Sequence, residues 1–231
     1  MISVCIPTYN GERFIKEQID SILPQLEDSD EVIISDDSST DNTIVILKKY
    51  KDPRIKLLLN NNFKSPIYNL ENALKHAKGD YIFLSDQDDV WNKNKVNIML
   101  KSLKKYDCVV SDAEVVDKNL NTIYPSFFEK RKSKKGLLRN IIKNNYIGCC
   151  MAFRKSILQY ALPFPENLPM HDIWLGLISE KHGRCVFIDD KLIKYRRHGN
   201  NVSLTGEKSS NSLYVKLKIR FNIIKALLFM K

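Results

Sequence analysis

No run of eighteen apolar residues occurs anywhere in the 231-residue chain, so no segment has the length and apolarity of a membrane-crossing helix. The strand-like stretch ISVCIPTY begins at Ile2, which leaves no space for the charged leader and apolar core of a secretory signal. A cytoplasmic protein is therefore expected. Glycine is sparse, with eight residues in all, and PTYNGER after the first apolar run offers only Gly11. A glycine-rich phosphate cradle needs more than that. The five cysteines (Cys5, Cys108, Cys149, Cys150, Cys185) are odd in number and form no C-x-x-C pair, so neither a disulfide framework nor a zinc site is indicated. They read as small core hydrophobes. Internal repeats and low-complexity tracts are absent as well.

What is present is an ordinary globular composition, 43% hydrophobic and 28% charged, at a length suited to one well-buried domain with a small appendage. The formal net charge of +10 implies an anionic partner: nucleic acid, a phosphate-bearing substrate or anionic lipid. Nucleic acid fits least, because no aromatic stacking platform or recognised binding motif accompanies the charge.

Apolar runs rich in β-branched residues at 2–7, 31–35, 55–59, 81–85 and 108–111 predict buried strands. Segments with helical spacing lie between them: Phe14, Ile15, Ile19, Ile22; Ile44, Leu47, Tyr50; Leu70, Leu74, Ala77; and Val96, Met99, Leu100, Leu103. This β-α-β-α alternation calls for a mainly parallel central sheet with helices on both faces. Ligands of such sheets gather at the carboxyl ends of the strands. The polar residues that follow the first, second and fourth strands are Tyr9-Asn10, Asp36-Asp37 and Asp86-Gln87-Asp88-Asp89. All three clusters are expected to face one crevice.

Each cluster has a plain reading beside a chemical one. Ser39, Thr40 and Asp41 in SDDSSTDNT suit a helix start, whereas Asp36 and Asp37 sit earlier, where a carboxylate can accept from a base N–H or a ribose hydroxyl. SDQDDVW is a solvated turn or a cation site; carboxylates crowded at a buried strand end are costly unless a cation neutralises them, and hard Mg2+ or Mn2+ prefers such oxygens with substrate phosphate. Its place after the fourth strand favours the cation. Asp172 in HDIW is a helix cap or a general base. YRRHGNN, with two arginines, a histidine and a glycine, suits a pyrophosphate, a metal ligand or a surface turn. Residues 206–231 carry six Lys/Arg and one Glu, a +5 segment that fits either a basic amphipathic helix in an anionic interface or a terminal helix packed on the domain or on a second copy as a homodimer.

Taken together, PTYN, SDDSSTDNT, SDQDDVW, GCCMAF, HDIW and YRRHGNNVS resemble the family 2 glycosyltransferases of the GT-A (Rossmann-like) fold over roughly residues 1–205. The pairing of SDQDDVW with RRHGNN most resembles the rhamnosyltransferase-like branch that builds bacterial surface polysaccharide. The resemblance implies an α/β GT-A domain over 1–205, with a nucleotide-sugar-binding half (1–111) and an acceptor-side half (112–205), followed by the basic tail 206–231. It implies that Pro7 and Tyr9 flank the base of a nucleotide diphosphate sugar, that Asp37 accepts from a ring N–H, and that Glu12 and Asn69 contribute. Asp86 would approach the ribose or donor sugar, Asp88 would bind Mg2+ or Mn2+ bridging the diphosphate, and His198 would reach the metal or diphosphate. Asp89 would stand behind them, Gly148 and Cys149 would shape the acceptor side, and Asp172 would deprotonate the acceptor hydroxyl.

The expected reaction is the inverting transfer of one sugar, rhamnose in this branch, to a saccharide acceptor carried on a polyprenyl lipid. Lys216, Lys218, Arg220 and Lys225 would then hold the enzyme on the anionic inner face of the cell membrane. Two features depart from common family patterns: His171 stands where a carboxylate is usual, and Q-x-x-R-W, the mark of processive synthases, is missing. The alternatives are a catalytically weak nucleotide-sugar-binding scaffold, which should have lost Asp88 or Asp172, and a sugar nucleotidyltransferase, which should have a glycine-rich loop.

Overall fold

Apolar runs with no polar face must be covered on both sides, and in a computed structural model, which describes residues 1–199 and 212–229, they form the centre of one sheet. β1 (Ile2–Thr8), β2 (Glu31–Asp36), β3 (Ile55–Leu58) and β4 (Tyr81–Leu84) are all parallel, in the spatial order β3-β2-β1-β4. The sheet then continues through strands of the second half. β5 (Val90–Trp91), β6 (Cys108–Val116), β7 (Thr122–Tyr124), β8 (Met151–Arg154) and β9 (Cys185–Arg196) extend it as β4-β8-β6-β9-β5, with β7 beside β6. β8 runs antiparallel to both β4 and β6. The parallel pattern expected from the alternation therefore holds through four strands, and the sheet turns mixed at β8, beyond which β6 and β9 again run parallel.

The crossover helices bury most of the stripe their spacing predicts, with Phe14, Ile44, Tyr50 and Leu100 half-buried. α1 (Ile15–Ile22) buries Ile15, Gln18, Ile19 and Ile22, one face of a 3.6-residue period. α2 (Thr43–Lys49) follows the SSTDNT loop, and α3 (Pro66–His76) starts with a proline at its first position, where the missing N–H costs nothing. α3 packs on β1 and β2, and α4 (Lys95–Leu103) packs on β6, β8 and β9. The second half adds α5 (Phe127–Arg131), α6 (Leu137–Ile142), α7 (Leu158–Ala161) and α8 (His171–His182).

From His171 to Ser179 α8 is buried on every side. Close packing there requires Gly176, where a Cβ would lie 2.4 Å from the Tyr146 ring. All five cysteines are free and buried. A last helix, α9 (Leu213–Phe229), packs against α6.

Candidate active site

Parallel neighbours end together, so the residues after β1, β2 and β4 gather along one edge of the sheet. They line a cleft of about 1230 Å³ that takes Tyr9 and Asn10 from the first strand end, Asp37 and Ser38 from the second, and Asp86, Gln87 and Asp88 from the fourth. The second half of the chain supplies Ile147, Gly148, His171, Asp172, Tyr195, Arg197 and His198 to the same lining.

Gln87, the middle residue of the D-x-D, ties the acidic loop to the end of β1. Its Oε1 accepts from the Tyr9 N–H at 2.9 Å and its Nε2 donates to the Tyr9 carbonyl at 3.0 Å. A Cβ on Gly11 would sit 2.5 Å from that Oε1. A side chain at the lone glycine of PTYNGER would push this clamp aside.

Strand pairing explains why two distant motifs meet. β5 runs antiparallel to the end of β9, Val90 opposite Lys194 and Trp91 opposite Ile193, so the loop before β5 lies against the segment after β9. Asp88 Oδ2 and His198 Nε2 are 2.7 Å apart as a result. The buried Arg196 fastens this junction: its N–H donates to Asp89 Oδ1 at 2.9 Å and its Nε to the Asp88 carbonyl at 2.7 Å. The guanidinium also bonds Glu17 and lies 4.5 Å from the Phe14 ring centroid. Arg196 is thus a fastener, while Arg197 lines the cleft.

The loop is electrostatically loaded. Burial, then the charges of Asp88 and Asp172, push the Asp86 carboxyl up to about 7, and burial holds that of Asp89 well above the usual range. A bound cation would reverse such shifts. A fully buried lysine partly offsets them: Lys95 Nζ donates to the Cys149 carbonyl at 2.7 Å, sits 4.2 Å from the Trp91 ring centroid, and is drawn by Asp89 and Asp86 while burial lowers its own pKa to about 8.

Asp86, Asp89 and Cys149 place ligand atoms within 4.8 Å of one another, and the buried Asp89 Oδ2 has no protein partner. A thiol suits softer metals, and Asp89 is closed off from the cleft. Beside this loop the carboxylates of Asp86 and Asp88 and the imidazole of His198 open on the cleft. Oxygen and imidazole donors of this kind fit Mg2+ or Mn2+.

Asp172 opens α8 and is 7% exposed. Its Oδ1 accepts from the Ile173 N–H at 2.6 Å. Burial pushes its carboxyl from 3.8 to about 6 against the pull of the Ile173 N–H and the Asn144 side chain, a value suited to a base working near neutral pH. Beside it, burial lowers His171 to about 4, which keeps the imidazole neutral. A Cβ on Gly148 would sit 2.7 Å from His171 Nε2, so only glycine admits the ring.

The model of the family described as "Glycosyl transferase family 2" matches residues 3–161. The chain is a family 2 glycosyltransferase. Its sheet and helices are those of GT-A enzymes: over 100% of this chain and 67% of the other it matches the S. aureus TarS 1–349 structure in complex with UDP-GlcNAc, with a TM-score of 0.77 and 24% identity. It is 41% identical over 207 residues, 88% of this chain and 80% of the other, to Escherichia coli WfaP, named a UDP-Glc:alpha-D-GlcNAc-diphosphoundecaprenol beta-1,3-glucosyltransferase. It is 31% identical over 216 residues, 84% of this chain and 72% of the other, to the Shigella flexneri dTDP-rhamnosyl transferase RfbG.

Of the residues singled out in this glycosyltransferase's sequence, Pro7, Tyr9, Asp37, Asn69, Asp86, Asp88, Asp172 and His198 all line the cleft. Asp37 is held by the N–H groups of Phe63 and Ser65 at 2.6 and 3.2 Å. Asn69 donates to the Thr8 carbonyl at 3.0 Å and keeps its buried Oδ1 without a protein partner. Glu12 is not brought to the cleft lining; its carboxylate accepts from the Asn42 N–H and Nδ2 at 2.9 and 2.8 Å, bracing the start of α2. Asn200 and Asn201 of YRRHGNNVS lie outside the described residues.

Three features escaped the sequence reading: the Gln87 clamp, the buried Lys95, and the cleft-lining cations Arg13, Lys64 and Lys118. The D-x-D pattern leaves its middle residue unspecified, and a lysine at a helix start reads as solvated. Neither carried a usable signal.

Proposed function

We propose that this glycosyltransferase moves one sugar from a nucleotide diphosphate sugar to a hydroxyl of a polyprenyl-linked saccharide, with inversion, in the making of a bacterial surface polysaccharide. The observation that carries the reading is that Asp172 and the set Asp86, Asp88 and His198 line one cleft. An acceptor hydroxyl is a poor nucleophile, and a nucleoside diphosphate leaves only if its growing charge is balanced. Base and cation therefore have to act on the same sugar from different sides.

In this reading the base and ribose lie against Pro7, Tyr9, Asp37 and Asn69, whose free buried Oδ1 accepts a donor hydroxyl or N–H. Asp86 takes a ribose or sugar hydroxyl. Asp88 and His198 hold Mg2+ or Mn2+, which when bound neutralises charge on the leaving diphosphate. Arg13, Lys64 and Arg197 add positive charge along the same lining. Asp172 removes the acceptor proton as the new bond forms, and a single displacement inverts the anomeric centre. Residues 1–111 serve the donor, 112–205 the acceptor apart from Arg197 and His198, and 206–231 the membrane.

The names of the relatives guide the substrates. WfaP is named for UDP-glucose and a diphosphoundecaprenol acceptor and RfbG for dTDP-rhamnose, so these two donors are compared first. No helix of the described residues is long and apolar enough to cross a membrane, and a lipid-linked acceptor is met from the inner face of the cell membrane. Thermal stability against a panel of nucleotide sugars, each with and without Mn2+, tests the site, because a ligand that binds only the folded state raises stability. Stabilisation by one sugar nucleotide only when Mn2+ is present supports the reading. Equal stabilisation with and without Mn2+ would remove the metal from it.

A further inference from the structure

α9 keeps one apolar face for the protein and leaves another in water. Ile223 and Leu227 are buried, Ile219 and Ala226 are half-buried beside them, and the helix is fastened by bonds from Lys181 to the Leu227 carbonyl and from Arg220 to the Ile142 carbonyl. On its far side Tyr214, Leu217, Phe221, Ile224 and Leu228 recur at alternating steps of three and four, each 41–74% exposed. α6, which α9 packs against, adds Leu138 and Ile142, 75% and 66% exposed. An apolar face of this size on two adjoining helices marks an interaction surface.

Charge decides what covers it. α9 carries Lys216, Lys218, Arg220 and Lys225 and no acidic residue, and the loop leading to α6 adds exposed Lys134 and Lys135. A second copy related by a two-fold axis would set this basic border against itself, like charge on like. An anionic lipid surface satisfies the border and the apolar stripe together. Among the cations, Arg220 is turned to the Ile142 carbonyl as a fastener, while Lys218 and Lys225 stand exposed beside the stripe.

We infer that α6 and α9 together form a platform that lies in the anionic interface of a membrane, with Leu138, Ile142, Leu217, Phe221 and Leu228 at the acyl boundary and Lys218 and Lys225 among the headgroups. The inference rests on the proposed lipid-linked acceptor for its purpose, and it goes beyond a basic tail by making α6 half of the contact. Interfacial binding of this kind scales with buried apolar area plus attraction to anionic lipid.

The test is co-sedimentation of the full chain with vesicles of phosphatidylglycerol and phosphatidylcholine in equal parts, against phosphatidylcholine alone. The variants are Leu138→Ser/Ile142→Ser on α6, Leu217→Ser/Phe221→Ser on α9, and Lys218→Gln/Lys225→Gln. Binding to the anionic vesicles alone is expected, weakened by salt, with each double variant partitioning roughly tenfold or more less well. No binding to anionic vesicles, or binding that the α6 variant leaves intact, overturns the platform. So does a dimer that Leu217→Ser/Phe221→Ser dissolves, which would assign the face to a second copy. Stabilisation by donor nucleotide, measured on the parent and the variants, separates the two readings: a parent that a donor stabilises but that binds no anionic vesicles removes the platform alone, one that binds vesicles but that no donor stabilises removes the donor reading of the cleft, and variants that lose vesicle binding while keeping donor stabilisation support the platform.

Discussion

Replacing Asp172 by asparagine should move activity and stability in opposite directions. The amide keeps the size of the side chain and an oxygen for the Ile173 N–H now bonded at 2.6 Å, so its place at the start of α8 is held. What it loses is the capacity to take a proton, and turnover should fall by about 10²–10⁴, the usual worth of a positioned base. Stability should not fall with it. Burial raises the carboxyl from 3.8 to about 6, which corresponds to about 3 kcal/mol in favour of the neutral form of the folded protein.

Below the unfolded value of 3.8 the neutral carboxyl contributes that stability in full, and it is lost as pH rises through about 6. The permanently neutral asparagine escapes this loss, so near pH 8 the variant should be as stable as the parent or more so, by up to about 3 kcal/mol, with the gap closing in acid. Urea unfolding at several pH values and turnover of the parent across the same range measure both effects. The parent's rate should climb with pH to about 6 and then level. Near-normal turnover in Asp172→Asn, or a parent profile with no limb near pH 6, would refute the assignment of the base.

Three further substitutions probe the frame of the cleft. Gln87→Ala removes both bonds to the Tyr9 backbone, about 1 kcal/mol each, so calorimetry should find weaker donor binding; unchanged affinity would mean that the loops hold register without the clamp. Gly176→Ala forces a methyl to within 2.4 Å of the Tyr146 ring and should cost about 1–3 kcal/mol in urea unfolding. Lys95→Met takes the buried cation away from Asp86 and Asp89. Its stability deficit should be large near pH 8 and shrink in acid, where those carboxyls bind protons, and a pH-independent deficit would mean that Lys95 acts through packing.

The parallel half of the fold was legible because its signals are local and strong. Apolar runs at 2–7, 31–35, 55–59 and 81–85 have no amphipathic alternative, and helical spacing between them imposes the crossovers that gather Tyr9, Asp37 and Asp86 at one edge. The second half was less legible because its order in the sheet is set by long-range pairing: nothing local in CVVSDAEVV shows that β6 will lie between β8 and β9.

The same holds within the site. Asp88 and Asp172 belong to compact motifs, whereas the junction of Asp88 with His198 depends on β5 pairing with β9 across about a hundred residues of chain. The family resemblance put Glu12 among the donor contacts, whereas its carboxylate accepts from the Asn42 N–H and Nδ2 at the start of α2. The tail's composition left a membrane-lying helix and a packed one both open, and the structure packs α9 on α6. Arg220 turns to the Ile142 carbonyl, and Lys218 stays exposed.

The central claim, metal-assisted sugar transfer in the cleft shared by Asp88 and Asp172, is tested most directly by transfer of labelled sugar to a polyprenyl diphosphate-linked saccharide, with the parent and Asp88→Ala compared in Mn2+ and in chelator. Product with inverted anomeric configuration, formed by the parent in Mn2+ and reduced about a hundredfold or more by either chelator or Asp88→Ala, is the predicted result. Equal product in chelator and from Asp88→Ala would contradict the account.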